Sequence, residues 1–585
     1  MTVVVRQRER NPEVMAAAQA HGYDALQSAI LSARLTNTDL SVVTPSVRDL
    51  DPPDQLPDID VAADAIADAV MSGRPLACLT DFDCDGSSSA FVLMESLVEH
   101  FHVPTHQVTL LITHRMREGY GVSDRFVDRL LEDCKPNTLL ITADQGTCDN
   151  ARFERLRAER GCDTVVTDHH GVPEAGPPAA AIACVNPVRK DSAFPDRCIA
   201  GCYVAWLTMC AVRQRLIKRG WLAPDAPSLA CLLDVVCVGS VADLMSLRTS
   251  KNNRAVINYG LRLINGPNPR PVWTALRQLM KKEGLFTTKD LSHGAAPRFN
   301  AASRIDDAMA VLRLLRTRDP MEAMVLVSQL DADNQLRKSI QQKMSEVALE
   351  IGALQAEAGR SLICVHFPDG HAGVHGIVAS RLVEAFGRPS CCLSPKPDVP
   401  GMLTGSLRAV AGVNIRGALA VVDSKYPGVL KHWGGHAGAA GIGISEDDVE
   451  RFHDALCDAV MEQVDTTKLE PVLWVDGELG EAPSLDTLSR ISALEPYGRE
   501  FEAPVFVDRF TVTNMRIVGD GTHLKLDLQD ARGRRCGGIW FRAMAAGEVP
   551  PVGAGEEVRL AYSVALNCFR GKESVDLQVL QAVTD

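Results

Sequence analysis

The segment Thr80-Asp-Phe-Asp-Cys-Asp-Gly-Ser-Ser-Ser89 places Asp81, Asp83 and Asp85 at alternate positions. Carboxylates this close repel one another, and such crowding is tolerated where cations neutralise it. Two further segments share the layout of an apolar run ending in an acid: Leu139-Leu-Ile-Thr-Ala-Asp144 and Thr164-Val-Val-Thr-Asp168-His169-His170. Asp243, in Gly239-Ser-Val-Ala-Asp243-Leu, closes a fourth apolar run. A lone histidine is more often a packed or surface residue than a ligand. Adjacent histidines behind a strand-end aspartate, with other strand-end acids in the same region, favour a metal site. Oxygen and imidazole donors without thiolate suit Mn²⁺ or Mg²⁺ better than structural zinc. Two such ions at about 3.5–4 Å activate water against phosphorus, so the chemistry implied is phosphoryl transfer to water.

The elements that must position these residues follow from pattern. From about 61 to 265 helical and strand patterns alternate: a helix over Val61–Ser72, then strands over Pro75–Thr80, Gln107–Ile112, Thr138–Thr142 and Thr164–Thr167. Alternation of this kind indicates a doubly wound parallel sheet, whose ligands sit beyond the carboxyl ends of its strands. The stretch Met321–Ala358 has no proline and a single glycine, Gly352. Its apolar residues Leu336, Ile340, Met344, Val347, Ile351 and Leu354 recur every three or four positions, which predicts one apolar face of a long helix. A second α/β unit follows over roughly 361–462. From about 470 onward, short alternating segments such as Phe506–Ile517, His523–Leu528 and Val558–Leu566 predict an antiparallel β-domain. The Pro/Asp-rich stretch Asp51–Asp60 reads as a connector.

A chain of 585 residues exceeds what one core serves, so three or four domains are expected. Hydrophobic residues make up 46% and charged residues 23%, which is ordinary for a globular protein and argues against large-scale disorder. The formal net charge of −13 argues against a protein that coats DNA generically, although a local basic groove and a metal-binding acid cluster are both compatible with it. The 17 cysteines include no Cys-x-x-Cys pair; Cys198 and Cys202 lack a partner pair at zinc spacing, and reduced thiols in a cytoplasmic protein are expected. No signal segment and no membrane span are expected, the nearest run, Leu229–Leu244, being broken by Asp234 and Asp243.

The Asp168-His169-His170 triplet, with the other acidic segments in this order, resembles the DHH phosphoesterases, and within them the single-strand-specific 5′→3′ DNA exonucleases. The resemblance runs from about residue 60 to 585. It includes the segments Arg115–Gly121, Asn186-Pro187, Asn253-Arg254, Pro297–Arg304, Asn334–Arg337, Gly376–Ser380, Gly405–Arg408, Gly434–Ala440 and Leu494–Gly498. It implies an α/β catalytic DHH domain (61–318) after an N-terminal segment (1–60). A long connecting helix (319–360) would join it around a central groove to a DHHA1 α/β domain (361–465), and an OB-fold β-barrel would follow (466–585). By the same resemblance Asp81, Asp83, Asp85, Asp144, His169 and Asp243 are the metal residues, with Asp144 bridging. Asp168 would orient His169, and His170 would contact the scissile phosphate. Arg115, Ser406 and Arg408 match a pocket for the 5′-terminal phosphate, with Asn300, Arg304 and His436 as further substrate residues. The chain departs from the family pattern at Gln145, Leu407, Ser303 and Arg499-Glu-Phe-Glu.

Single-stranded DNA is the implied partner, a single-strand-binding protein or helicase a family-level one, and a monomer the expected state. Two alternatives stand beside the exonuclease. One is a phosphodiesterase of short oligonucleotides or cyclic dinucleotides. The other is an inactive DNA-binding scaffold, which the full set of metal carboxylates disfavours.

Overall fold

The computed structural model describes residues 3–583 apart from 116, 306, 307, 397, 398, 466–468, 546, 570 and 571. Met116, within the Arg115–Gly121 segment, therefore lies outside the described residues. The chain divides into two units, 8–331 with 475–585 and 1–7 with 332–474.

In the second of these, strand β1 (Val4–Gln7) precedes all the elements of the other unit. In the first, helices Pro12–Ala20, Ala25–Ser32 and Ile59–Ser72 lead into five strands: β2 (Leu76–Thr80), β3 (Val108–Ile112), β4 (Leu139–Ala143), β5 (Asp163–Thr167) and β6 (Ala183–Val185). They form one sheet in the order β3-β2-β4-β5-β6, parallel throughout. Strands β2 and β4 are buried along their whole length, as expected for a parallel sheet covered on both faces. The chain leaves β2 toward β3 on one side and returns with β4 on the other. The carboxyl ends of β2 and β4 thus flank the switch point, where open α/β sheets form their ligand crevice. The four strands expected from sequence are present within one or two residues; β6, only three residues long, was too short to show a pattern.

One apolar run proved to be a helix. Leu233–Ala242 coils instead of extending, and Asp243 is the residue that ends it, at φ −85°. A short apolar run does not distinguish a buried strand from a buried helix. Gly239 lets this helix pack closely, since a Cβ there would come within 2.5 Å of Cys202 Sγ.

The long helix spans Pro320–Glu357, and the division between units falls within it. Only part of the predicted apolar face is buried. Met344 and Ala348 lie in a core with Ile340 and Ile351 packed against it, whereas Leu336, Val347 and Leu354 are exposed. The buried row runs at i, i+4, i+8 and packs with β7 (Ile363–His366) and helix His375–Phe386.

The rest of that unit is a mixed sheet of β7, β8 (Ser390–Pro395), β9 (Met402–Arg408), β10 (Leu430–Gly435) and β11 (Ala439–Ser445), in the order β10-β11-β9-β8-β7. Only β7 and β8 pair in parallel among these neighbours. Strand β12 (Val472–Val475) pairs with β1.

Five strands close the C-terminal barrel: β13 (Phe506–Val518), β14 (His523–Asp530), β15 (Arg535–Trp540), β16 (Glu557–Phe569) and β17 (Lys572–Val583). Their order is β13-β14-β15-β17-β16, and a parallel β15–β17 pair closes the ring, as in OB-folds. The segment entering the barrel is tied to the segment that follows helix Leu233–Ala242. Leu247 N–H donates to Arg499 O at 3.1 Å, and Ser246 Oγ to Glu500 Oε2 at 2.6 Å. The Arg499–Glu502 stretch thereby braces the loop that follows Asp243.

Candidate metal centre

The acids gather because four chain segments end at the same edge of the parallel sheet. After β2, Asp83 caps helix Cys84–Met94 and accepts from the Asp85 and Gly86 amides at 2.9 and 3.0 Å. That cap leaves Asp81 before the helix and carries Asp85 inside its first turn. Gly86 is obligatory there, because a Cβ would fall 2.2 Å from Asp81 O. Asn300 Oδ1 accepts from Cys84 N–H at 2.8 Å, so this expected substrate residue also braces the acid loop. Asp81 is anchored by Thr113 Oγ1 at 3.0 Å.

Asp85 is 1% exposed, and its oxygens accept from the Gly201 and Cys202 amides at 2.7 and 3.0 Å. These are the first residues of helix Gly201–Lys218, whose positive end favours a carboxylate. Gly201 must lack a side chain, since a Cβ would sit 2.7 Å from Asp144 Oδ1.

Asp144 follows β4 at φ +62°, a left-handed conformation that a non-glycine residue adopts at a cost. Its Oδ1 lies 3.1 Å from His169 Nε2. The same nitrogen is 3.6 Å from Asp243 Oδ2 and 3.8 Å from Asp85 Oδ2. Ligand atoms within 4.8 Å of one another form three groups: Asp81, Asp83 and Asp144; Asp85, His169 and Asp243; and Asp144, His169 and His170. Two acid-rich triads thus meet at the Asp144–His169 contact.

Asp168 departs from its expected role. Its Oδ1 is 2.8 Å from His170 Nδ1 and accepts the backbone N–H of both His169 and His170. The His169 ring instead meets Asp144, its Nε2 lying 3.1 Å from Oδ1, and the Ile199 backbone helps favour its protonated form. The carboxylate thus holds the second imidazole, not the first, in a fixed orientation. Thr147 N–H also donates to Asp168, and Asn186, at the end of β6, donates to Thr147 Oγ1 and to His170 O, each at 2.9 Å. Thr147, Ile199, Gly201 and Gly239 carried no sequence signal beyond small or ordinary residues near motifs.

The electrostatics are those of an anionic cluster. Burial first, then the neighbouring Asp83 charge, pushes the Asp81 carboxyl up to about 7. Burial likewise pushes Asp243 up to about 7 despite His169, and Asp83 and Asp144 are raised by burial and by the acids beside them. Burial opposes protonation of His170, but the Asp168 carboxylate outweighs it and pushes the imidazole up to about 10. Asp168 in turn is held well below the usual carboxylate range against the effect of its burial. The nearby thiols Cys84 and Cys202 are raised well above their ordinary value by burial and by the acids, so they stay neutral. The donors available are therefore carboxylate oxygens and imidazole nitrogen, and they fit hard or borderline divalent cations such as Mn²⁺ or Mg²⁺.

The remaining predicted site residues fall in two places. Arg115 lies near Asp83, its guanidinium 5.1 Å from the Phe82 ring. Arg304 is half-buried on helix Ala296–Ile305, on which Ser303 Oγ bonds back to Asn300 O. Ser406, Arg408 and His436 belong to the other unit. Along β9 exposure alternates, so Ser406 and Arg408 share one face while Leu407 packs into the core on the opposite one. Leu407 therefore leaves the face of Ser406 and Arg408 unaltered. The exposed His436 lies in the hairpin between β10 and β11, and Ala439 of β11 is paired with Arg408. Gly376 lies against the Arg408 guanidinium, 2.5 Å from where a Cβ would stand.

Among the described residues no helix is long and apolar enough to cross a membrane. Family models match three segments: the DHH family N-terminal domain over 76–239, the DHHA1 domain over 359–462 and the RecJ OB domain over 475–581. The single-stranded-DNA-specific exonuclease RecJ of Dickeya dadantii is 36% identical over 531 residues, covering 89% of each chain. That of Escherichia coli is 33% identical over 541 residues, covering 91% of each. The crystal structure of RecJ in complex with Mn²⁺ from Thermus thermophilus superposes with a TM-score of 0.78 at 25% identity, covering 100% of this chain and 80% of that one. Identity of this order, sustained along nearly the whole length and over all three domains, means that the chain belongs to the RecJ family.

Proposed function

We propose that this protein is a metal-dependent exonuclease specific for single-stranded DNA. It degrades from the 5′ end, releases nucleoside 5′-monophosphates, and serves DNA repair and recombination. The observation that carries the reading is the pair of acid-rich triads meeting at Asp144 and His169, in a chain whose relatives are named single-stranded-DNA-specific exonucleases.

Asp81, Asp83 and Asp144 would hold one divalent ion, and Asp85, His169 and Asp243 a second. When bound, such a pair makes water nucleophilic near neutral pH and offsets charge on the phosphoryl oxygens. The chain's own residues do the rest. The helix Gly201–Lys218 amides and the Asp83 cap fix carboxylate orientation before substrate arrives. His170, kept protonated by Asp168, supplies a cationic N–H donor for the scissile phosphate, and its side chain is 44% exposed. Arg115, Asn300 and Arg304 in this unit, and Ser406, Arg408 and His436 on their own sheet, are the proposed substrate residues. The barrel is proposed as a platform for single-stranded DNA, and a single-strand-binding protein or helicase as a partner.

The test follows 5′-phosphorylated oligonucleotides, single- and double-stranded, with Mn²⁺ or Mg²⁺. Loss of one nucleotide at a time from the 5′ end of single strands, with duplex spared, is expected. Strands left intact under both metals overturn the proposal, and a strong preference for dinucleotides moves it to the small-substrate reading.

A further inference from the structure

The unit that contains residues 332–474 carries a thiol cluster remote in sequence from the acids of the metal centre. Cys364 on β7 and Cys391 on β8 are register partners across the parallel pair of these strands. Partners in register project to the same face of a sheet, and both side chains lie in one core with Leu407. Ile363, Val365 and Cys392 alternate with them and lie in the core on the opposite face. Neighbouring strands stand about 4.7–4.9 Å apart, inside the range of about 4.4–6.8 Å that the Cα atoms of a disulfide span. Strand β7 is also the edge of its sheet. Gln355 closes that edge at Cys364: its Oε1 accepts from the Cys364 amide at 2.8 Å, and its Nε2 donates to the Cys364 carbonyl at 2.7 Å. The backbone that presents the thiol is thereby held in place.

Helix Val449–Met461 covers the same face and brings a third thiol and an imidazole. Cys457 Sγ lies 3.8 Å and His453 Nε2 3.0 Å from the carbonyl oxygen of Leu362, just before β7. The Cys391 thiol, and then His453, hold the Cys364 thiol below its ordinary value against its burial. Burial pushes Cys391 itself well above that value. Burial also opposes ionisation of Cys457, but His453 and Ser361 outweigh it. Buried thiols elsewhere, such as Cys78 and Cys237, are pushed up by burial and have no such neighbours to offset it. A shared metal ion is not what this cluster suits, because among the described residues its ligand atoms do not converge as those of the acid triads do. Redox chemistry suits it better. The thiolate is the form of cysteine that attacks an electrophilic oxygen, and a second sulfur within disulfide reach converts that attack into a cross-link.

We propose that Cys364 and Cys391 form a reversible disulfide on exposure to a hydroperoxide, which makes the β7–β8 pair a redox-modification site. The Cys364 thiolate attacks one peroxide oxygen and the O–O bond breaks. Sulfur gains that oxygen as a sulfenic acid, and the departing hydroxide takes up the proton that the thiol released. The Cys391 sulfur then displaces the hydroxyl group, the S–S bond forms, and a second water leaves with the Cys391 proton. Two thiols are oxidised and one hydrogen peroxide is reduced to two waters. A dithiol reverses the step by exchange.

The experiment uses the full-length wild-type protein, reduced, freed of reductant and treated with hydrogen peroxide. Remaining thiols are blocked with N-ethylmaleimide, and the peptides are mapped by mass spectrometry. A linked pair carrying Cys364 and Cys391, lighter by two hydrogens than the separate peptides and lost after dithiothreitol, is expected. It should form at least about tenfold faster than Cys78 or Cys237 is oxidised. In Cys391→Ala the cross-link has no second sulfur, so dimedone should trap Cys364 as its sulfenic acid. Cys457→Ala should still form the cross-link. The wild-type map decides the question whether or not either variant folds. No linked pair at a peroxide level that oxidises the exposed Cys231, or a link from Cys364 to Cys457, overturns the proposal. So does equal dimedone labelling of Cys364 and Cys78 in folded Cys391→Ala.

Discussion

The acid cluster and the Arg254 site both bury charge within one unit, and they resolve it in opposite ways. Arg254 is fully buried, yet among the described residues no acid pairs with it. Its guanidinium donates to the carbonyl oxygens of Val43, Leu247, Leu494 and Pro496 at 2.7–3.4 Å and lies 4.4 Å from the Phe501 ring centroid. Burial lowers its pKa to about 10, which still leaves it charged at neutral pH. Every donor direction is answered by protein, and the residue knits the N-terminal segment, helix Lys251–Ile264 and the entry to the barrel together. At the carboxyl edge of the sheet the opposite holds. Asp81, Asp85 and Asp144 are buried beside Asp83 and Asp243, their anchoring comes largely from backbone and hydroxyl groups, and negative charge remains in excess. Buried charge that the protein satisfies itself builds the fold, whereas buried charge left incomplete marks where something else must bind.

That contrast can be broken most sharply at Asp144. Asp144→Asn suits the left-handed backbone at this position, so the fold should persist. Metal-dependent hydrolysis should fall by roughly a thousandfold, as several kcal/mol of barrier lowering depends on the ions. Initial rates with Mn²⁺, alongside a thermal melt, check both halves. Arg254→Met should do the reverse. It strands several carbonyls in the core and should cost roughly 3–4 kcal/mol of stability, read by denaturant titration, while the folded fraction keeps its rate constants.

The third prediction concerns pH. Asp81 and Asp243 have carboxyls raised from 3.8 to about 7, so the folded metal-free protein holds these protons more tightly than the unfolded chain does. Their contribution to stability is therefore fully present below about pH 4 and is lost as pH rises through about 7. Melting temperature in EDTA should fall across that window. Manganese at a hundred times its dissociation constant should add about 2.7 kcal/mol at neutral pH. A flat EDTA profile would show that the cluster is not electrostatically incomplete. The smallest effect is expected from Gly239→Ala, whose Cβ would stand 2.9 Å from Asp85 Oδ1. Displacing that carboxylate should weaken Mn²⁺ binding by roughly ten- to a hundredfold, measurable by calorimetry, and the crowding of Cys202 Sγ at 2.5 Å should lower the melting temperature as well.

The legible parts of this protein were those with local cause. Strands β2, β4 and β5 were readable because a buried parallel strand is a short unbroken apolar run, and the acids stood out by following such runs. The barrel strands β13, β14 and β16 were readable from alternation. The helix Leu233–Ala242 was not, since its run fits either period. The exposure of Leu336, Val347 and Leu354 could not be foreseen either, because periodicity shows that residues share a face and not which face is covered.

The sequence by itself showed which groups could ligate and how their segments end: Asp81, Asp83, Asp85, Asp144, Asp168, His169, His170 and Asp243 stand out by motif and spacing, and the family resemblance selects among them. Only the tertiary structure decided how those groups are held. Asp85 is fixed by amides of Gly201 and Cys202, more than a hundred residues away, His169 is brought against Asp144, and Asp168 turns to His170 instead of His169. The physical reason is that backbone N–H and C=O groups are the same in every residue. Their value as hydrogen-bond partners comes from position alone, and position is set only when the chain has folded.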